Sequence, residues 1–464
     1  MNQPTSSPFV ESRRDFLRAG SLGLFGLGLP TLLKASESTA TPAKARAKAC
    51  ILLFMWGGPA QQDTWDMKPD SPDAYRGEFQ PIQTTVPGLQ ICEHMPQLAK
   101  RASDLCLIRS MTHPDVNHTT ATHHLLTGKP APTGPISDDW PNYGAVLAKL
   151  GRGRGQLPPY VSMMPVVPDG APRFVEQSHG QGAGWLGPVY NPMRIDTDAS
   201  SPDYRVGEFS LSNDTPMNRV QGREQLLEVF DRLGPMTKSQ PEIEAMGAHY
   251  RRAFSLLSAP QVTKAFDLTR ESVKTRERYG MNRHGQSVLQ ARRLVEAGVP
   301  LVTVFWPNDG ITNVSVYWDT HNRNFIDLKT RLCPVTDQAT SALLDDLKSR
   351  GMLDETLVVW TGEMGRTPKV GQAVVGGAGA GRDGRDHWGK VFTTVLAGGG
   401  IAGGAVYGAS DRFAAEPSAN PTTPADLAAT IYHVLGVDPQ TELRDRLNRP
   451  LTLCSGQVVK GILS

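Results

Sequence analysis

Three short stretches carry side chains able to do chemistry: Thr361-Gly362-Glu363-Met364-Gly365-Arg366-Thr367-Pro368, Gly384-Arg385-Asp386-His387-Trp388 and Trp318-Asp319-Thr320-His321. Carboxylate oxygen and imidazole nitrogen are ligands for zinc and other borderline divalent cations. An Asp and a His two residues apart on one loop can turn toward one ion, so Asp319 and His321 are candidate ligands, and His387 is a third. Glu363 and Arg366 add an acid and a guanidinium. A fourth stretch, His113 to His124, holds four of the 11 histidines within 12 residues. Asp63 and Asp66, in Gln61-Gln62-Asp63-Thr64-Trp65-Asp66, are candidates for polar work or simply cap a turn.

These groups need a scaffold that brings them together. Glu355 to Trp360 is apolar and β-branched and reads as a buried strand, which puts Glu363 and Arg366 just past its C-terminal end, where open α/β sheets bind ligands. The Gly-rich loop that follows returns the chain to Asp386 and His387, ahead of a strand over Val391 to Ala397. Ala49 to Trp56 is a central parallel strand running into Gly57-Gly58-Pro59, and Leu105 to Ser110 and Leu301 to Trp306 are further core strands. Residues 118 to 127 form a helix capped by Asn117, whose free amides face any anion in the cleft. His118 and Thr119 sit at that end. His113 is a weaker candidate, and His123 and His124 read as packing residues. Residues 129 to 220, rich in Pro and Gly, look like an inserted cap. Helical spacing marks Arg219 to Leu233, Glu242 to Leu257, Val262 to Leu268, His284 to Ala297, Pro334 to Arg350 and Thr423 to Leu435. Ala397-Gly398-Gly399-Gly400 lacks the Lys-Ser/Thr of a nucleotide loop and reads as a turn between strands.

The 464 residues carry 48 basic and 46 acidic side chains, a net charge of +2, which argues against a nucleic-acid or polyanion binder. Five cysteines without a Cys-x-x-Cys pair exclude a zinc ribbon; they read as buried thiols, with a disulfide the other possibility. At the N-terminus, Ser12-Arg13-Arg14-Asp15-Phe16-Leu17-Arg18 precedes a Gly-broken apolar run from Ala19 to Leu33. Residues 1–47 are expected to be a twin-arginine export signal and linker, too short in its apolar part to span a membrane.

With these motifs the chain resembles the DUF1501 family of exported bacterial proteins, abundant in planctomycetes and grouped with the alkaline phosphatase and sulfatase superfamily. Gly57-Gly58-Pro59, Asn117-His118, Leu126-Thr127-Gly128 and Glu296-Ala297-Gly298 extend the resemblance over roughly residues 48 to 455. It implies a three-layer α/β/α fold with a mostly parallel sheet, residues 48–455 forming the domain and 456–464 a tail. It also implies a metal site from Asp319, His321 and His387, although the spacing here is Asp-x-His where phosphatases have Asp-x-x-x-His. Glu363 stands where a second site's Asp would be, next to Met364 in place of a His, and Asp63 could reach in from its turn. Leu125-Leu126-Thr127-Gly128 resembles the Leu-Thr-Gly after a sulfatase nucleophile, which puts His118, with Thr119 beside it, at the nucleophile locus.

Two functions follow as expectations. In the first, the protein is an exported hydrolase of phosphate or sulfate esters, on a small-molecule or polysaccharide substrate, using a divalent metal such as zinc. Asp319, His321 and His387 hold the ion, Glu363 is a ligand or base, Arg366 binds the oxyanion, and His118 or Thr119 acts on the ester. In the second, a binding or assembly protein keeps the fold without the chemistry. A periplasmic, cell-surface or secreted location suits both.

Overall fold

The computed structural model describes residues 45–153, 157–164, 174–204, 206, 260–308 and 316–464. The chain divides into two units, Met1–Ala43 and Lys44–Ser464. The export signal and the helices expected at 219–233 and 242–257 lie outside the described residues.

Eight strands form the central sheet: β1 (Ala49–Phe54), β2 (Leu105–Met111), β3 (Tyr160–Met163), β4 (Met193–Ile195), β5 (Leu301–Phe305), β6 (Thr356–Thr361), β7 (Phe392–Ala397) and β8 (Ala405–Tyr407). Their order is β8-β2-β7-β6-β1-β5-β3-β4. All neighbours pair in parallel except β7, which is antiparallel to both β2 and β6. Every residue of β1, β5, β6 and β7 is buried, as expected of strands covered on both faces and rich in Val, Ile and Leu. The stretch from 129 to 220 supplies β3 and β4 to this sheet.

Helices complete three layers. On one face α1 (His118–Thr127), α2 (Tyr143–Lys149) and α5 (Pro424–Val434) pack together, with the Tyr143 hydroxyl donating to the Leu125 carbonyl at 2.6 Å and its ring 5.4 Å from that of Tyr432. The other layer holds α3 (Arg283–Glu296), against β1 and β5, and α4 (Cys333–Ser349) behind it. Capping fixes the helix starts. Asn117 accepts the Thr119 amide, Asn282 accepts the Gly285 amide, and Thr423 with Asp426 forms a capping box behind Pro424. A π turn, Leu328–Leu332, joins the helical residues Asn324–Asp327 to α4, an irregularity often found near functional sites.

The glycines after Ala397 make the turn into β8, as the sequence predicts. The C-terminal residues pack rather than trail: Ile462 is buried and the Ser464 amide donates to Gly400. All five cysteines are buried and free, and no helix among the described residues is long and apolar enough to cross a membrane.

Candidate metal centre

The parallel strands β1, β2, β5 and β6 end at one edge of the sheet, and the antiparallel β7 starts there. Loops after Met111, Phe305 and Thr361 therefore deliver His118, Asp319 and Glu363 to the same place as the loop before Phe392 delivers His387. His118, Asp319, His321 and His387 converge, each at most 7% exposed, with one ligand atom apiece within 4.8 Å of one another. Asp319 Oδ1 is the centre of the group. It lies 3.2 Å from His118 Nε2, 2.9 Å from His321 Nε2 and 3.3 Å from His387 Nε2.

The far nitrogens decide what the near ones are. His321 Nδ1 donates to the Gly379 carbonyl at 2.5 Å, His387 Nδ1 to the Val116 carbonyl at 2.6 Å, and His118 Nδ1 to Glu363 Oε1 at 2.5 Å. A carbonyl or carboxylate only accepts, so each Nδ1 carries the hydrogen, and each ring in its neutral form presents an Nε2 lone pair. His321 Nε2 and His387 Nε2 are 3.0 Å apart, and His118 Nε2 is buried without a hydrogen-bond partner. With all three rings neutral, three lone pairs and a carboxylate oxygen face one another; without an ion, the Arg366 guanidinium on Asp319 Oδ1 and a proton on His118 supply the balancing positive charge. Imidazoles whose second nitrogen is tied to a carbonyl or carboxylate are the usual ligands of a protein metal site, so these residues fit a divalent cation.

The charges respond to burial and to each other. Burial by itself would lower the His118 pKa, but Asp319 and then Glu363 outweigh it and hold the ring up to about 9. Burial would raise the Asp319 carboxyl, yet Arg366 and His118 hold it well below the usual carboxylate range. Burial pulls His387 down.

Backbone approach sets these positions. Gly57 and Gly58 adopt φ of +101° and +83°, and a Cβ on Gly57 would lie 2.3 Å from the Asp319 nitrogen. The Gly57 amide donates to Glu363 Oε1 at 2.8 Å, while Glu363 Oε2 is buried without a partner. Asp386 organises the Gly-rich loop: its carboxylate accepts the amides of Val374, Ala378, Gly379 and His387, which aims the Gly379 carbonyl at His321.

Three expected site residues take other parts. Arg366, read as the oxyanion-binding guanidinium, spends its donors inside the fold, on the carbonyls of Gly57, Gly58 and Arg385 and on Asp319 Oδ1. Asp63, read as a ligand, lies outside the cluster: both its oxygens face Arg385, at 2.7 and 3.0 Å, and Asn324 donates to one of them at 2.8 Å. The Thr119 hydroxyl donates to the Asn117 cap at 2.7 Å. His118, read as acting on the ester, instead joins Asp319, His321 and His387 as the fourth residue of the cluster that could hold an ion. Sequence reasoning missed Phe174, whose ring stacks on His118 with centroids 4.2 Å apart; it sits in a stretch without periodicity and gives no signal. Arg385 was in view as part of a motif, but only a buried carboxylate partner reveals its role. A cavity of about 690 Å³ opens at the other edge of the sheet, among Lys48, Val295, Pro300 and Thr356, away from the cluster.

Fold and cluster together define a three-layer α/β/α protein with a buried imidazole and carboxylate centre at the carboxyl ends of its parallel strands. The family model of proteins of unknown function DUF1501 matches residues 47–463, and the chain belongs to that family. A comparison with curated proteins finds no match. Among solved structures, the chain is similar to a protein of the alkaline phosphatase superfamily from Vibrio parahaemolyticus, at 11% identity over 93% of this chain and 78% of that one, TM-score 0.40. It is similar to a sulfatase from Pseudoalteromonas sp. at 13% identity, over 90% and 72%, TM-score 0.36. A third is the alkaline phosphatase of the Antarctic bacterium TAB5, at 10% identity over 85% and 99%, TM-score 0.38.

Proposed function

We propose that this protein is a metal-dependent hydrolase of phosphate or sulfate esters, exported through the twin-arginine pathway. The convergence of three Nε2 atoms and Asp319 Oδ1, each Nδ1 hydrogen already committed elsewhere, carries the reading. His118, Asp319, His321 and His387 hold the ion, and a three-nitrogen, one-oxygen set suits zinc. Bound there, a divalent cation supplies Lewis-acid polarisation of an ester oxygen. Glu363 orients His118 through Oε1, and its partnerless Oε2 is the group available as base or further ligand. Arg366 positions Asp319 instead of meeting the substrate. Thr119 is the hydroxyl nearest His118 along α1 and would have to leave its cap to act as nucleophile. Arg13 and Arg14 support export of a folded, metal-loaded chain.

The test is metal analysis of the purified chain together with aryl phosphate, phosphodiester and sulfate substrates assayed with several divalent ions. One tightly held ion, with turnover lost along with that ion in His387→Ala, is the expected result. A metal-free protein without turnover on any ester overturns the proposal. One observation favours a second reading, a binding or assembly protein with a structural ion: four protein ligands, one of them stacked against the Phe174 ring, form a closed set, whereas catalytic zinc keeps an open position. A bound ion without turnover supports that reading.

A further inference from the structure

We propose that His179, oriented by Asp139, is the acid that protonates the leaving oxygen of the ester at the candidate metal centre. The Asp139 side chain is 2% exposed; its Oδ1 accepts from His179 Nδ1 at 2.6 Å and its Oδ2 accepts the Gly180 amide at 2.7 Å. A carboxylate only accepts, so Nδ1 carries the hydrogen and Nε2 is the nitrogen left to exchange a proton. Among the described residues Nε2 has no hydrogen-bond partner, and the His179 side chain is 21% exposed, so water reaches it. A buried carboxylate that fixes the tautomer of a partly exposed imidazole is an arrangement that acid–base catalysis uses. The neighbouring imidazoles are spent: His123 between the Lys129 carbonyl and the Trp140 amide, His113 between the Glu363 carbonyl and the Asp115 amide.

One segment ties this pair to the cluster. The helical turn Phe174–Gln177 packs against α1, and Phe174 stacks on His118. Five residues on, the His179 amide donates at 3.3 Å to the carbonyl of Thr119, the residue next to His118. Gly180, at φ +80°, brings backbone against backbone, since a Cβ there would lie 2.6 Å from the His123 Cα. Asn142 holds the next two residues, its side chain donating to the Gln181 carbonyl at 2.7 Å and its amide to the Gly182 carbonyl at 3.1 Å. His179 is thereby fixed beside the first turn of α1, more open to water than any residue of the cluster. This inference rests on the hydrolase proposal. In the reaction the oxygen of water bonds to phosphorus or sulfur, and the ester bond breaks with its electron pair going to the leaving oxygen. The Nε2 proton of the protonated ring passes to that oxygen, and the proton that water gives up restores the ring through solvent.

The experiment compares turnover of phenyl and nitrophenyl esters of phosphate and of sulfate by the metal-loaded full chain and by His179→Gln. Nitrophenolate leaves readily without a proton, and phenolate does not. Loss of a general acid should slow the phenyl ester about 100-fold or more and the nitrophenyl ester less than about tenfold, with bound metal unchanged. Equal slowing of the two esters, or no slowing, overturns the assignment and leaves the hydrolase reading standing. The wild type supplies a check that needs no stable variant: its phenyl and nitrophenyl rates should be alike, and a phenyl ester slower by about 100-fold or more overturns the assignment. No turnover of either ester by the metal-loaded wild type sinks the hydrolase reading itself, and the role of His179 falls with it.

Discussion

Replacing Glu363 by Gln tests whether the buried cluster is a metal centre at all. The carboxylate is wholly buried, accepts from His118 Nδ1 at 2.5 Å and from the Gly57 amide at 2.8 Å, and so fixes which nitrogen of His118 faces Asp319. Glutamine keeps the shape and can keep both bonds through its carbonyl oxygen, so the fold should survive. What it removes is charge. A hydrogen bond to a charged group is worth about 1.5–3 kcal/mol and a neutral one about 0.5–1.5, so roughly 1–1.5 kcal/mol of His118 orientation is lost. Loss of an outer partner of a ligating histidine typically costs about 10–100-fold in metal affinity, equivalent to about 1.4–2.7 kcal/mol, and the two figures overlap. Competition for zinc against a chromophoric chelator at fixed pH reads that change directly. The expected outcome is one full equivalent bound, at about 10–100-fold weaker affinity. Affinity within twofold of wild type, in a protein of unchanged thermal midpoint, would refute the orientation argument, because His118 would then not be a ligand positioned by Glu363.

Other consequences follow from the same packing and hydrogen bonds. Asp63→Ala strands the Arg385 guanidinium, whose pair is wholly buried on both sides; breaking such a pair costs about 3–5 kcal/mol, read as a fall in urea midpoint, and a loss below about 1 kcal/mol would contradict the assignment. His284 is buried against the Trp306 ring at 4.4 Å with neither ring nitrogen hydrogen-bonded, and burial pulls its pKa down to about 3. Its neutral form is favoured in the fold, so its contribution is whole above pH about 6.5 and shrinks as pH falls toward 3, by about 1.4 kcal/mol per unit. His284→Phe should flatten the dependence of unfolding free energy on pH by one proton across that window, and an unaltered slope would contradict it. Gly57→Ala drives a Cβ to 2.3 Å from the Asp319 nitrogen at φ +101°, so the loop carrying Asp319 must move; zinc stoichiometry should fall toward zero at the buried centre, and full retention would show that the loop yields without cost.

Much of this architecture was legible because buried parallel strands announce themselves as apolar runs. Ala49 to Trp56, Leu105 to Ser110, Leu301 to Trp306, Glu355 to Trp360 and Val391 to Ala397 all correspond to core strands. The helix of residues 118 to 127 was legible in full, cap included, because Asn117 and Gly128 bracket it. The short strands β3 and β4 at one side of the sheet were not, since three or four residues among Pro and Gly carry too little periodicity to separate from loop. Direction was hidden as well. An apolar run reads the same whether its strand is parallel or antiparallel, so nothing in Val391 to Ala397 disclosed that β7 runs against its neighbours.

That reversal is what places His387. Were β7 parallel, the residues before it would lie at the amino ends of β1 and β6, the full length of the sheet from Asp319. Because it is antiparallel, its beginning coincides with their carboxyl ends, and Nε2 of His387 comes within 3.3 Å of Asp319 Oδ1. The partners that set the ring tautomers were illegible for a different reason: the carbonyls of Gly379 and Val116 are backbone groups, which no residue type advertises. Residue types could therefore nominate Asp319, His321 and His387 as ligands but could not say that their lone pairs converge. Backbone hydrogen bonding, with the Asp386 carboxylate gathering four amides of the Gly-rich loop, and the Glu363 carboxylate on His118 bring three nominated residues and His118 into one cluster that could hold an ion.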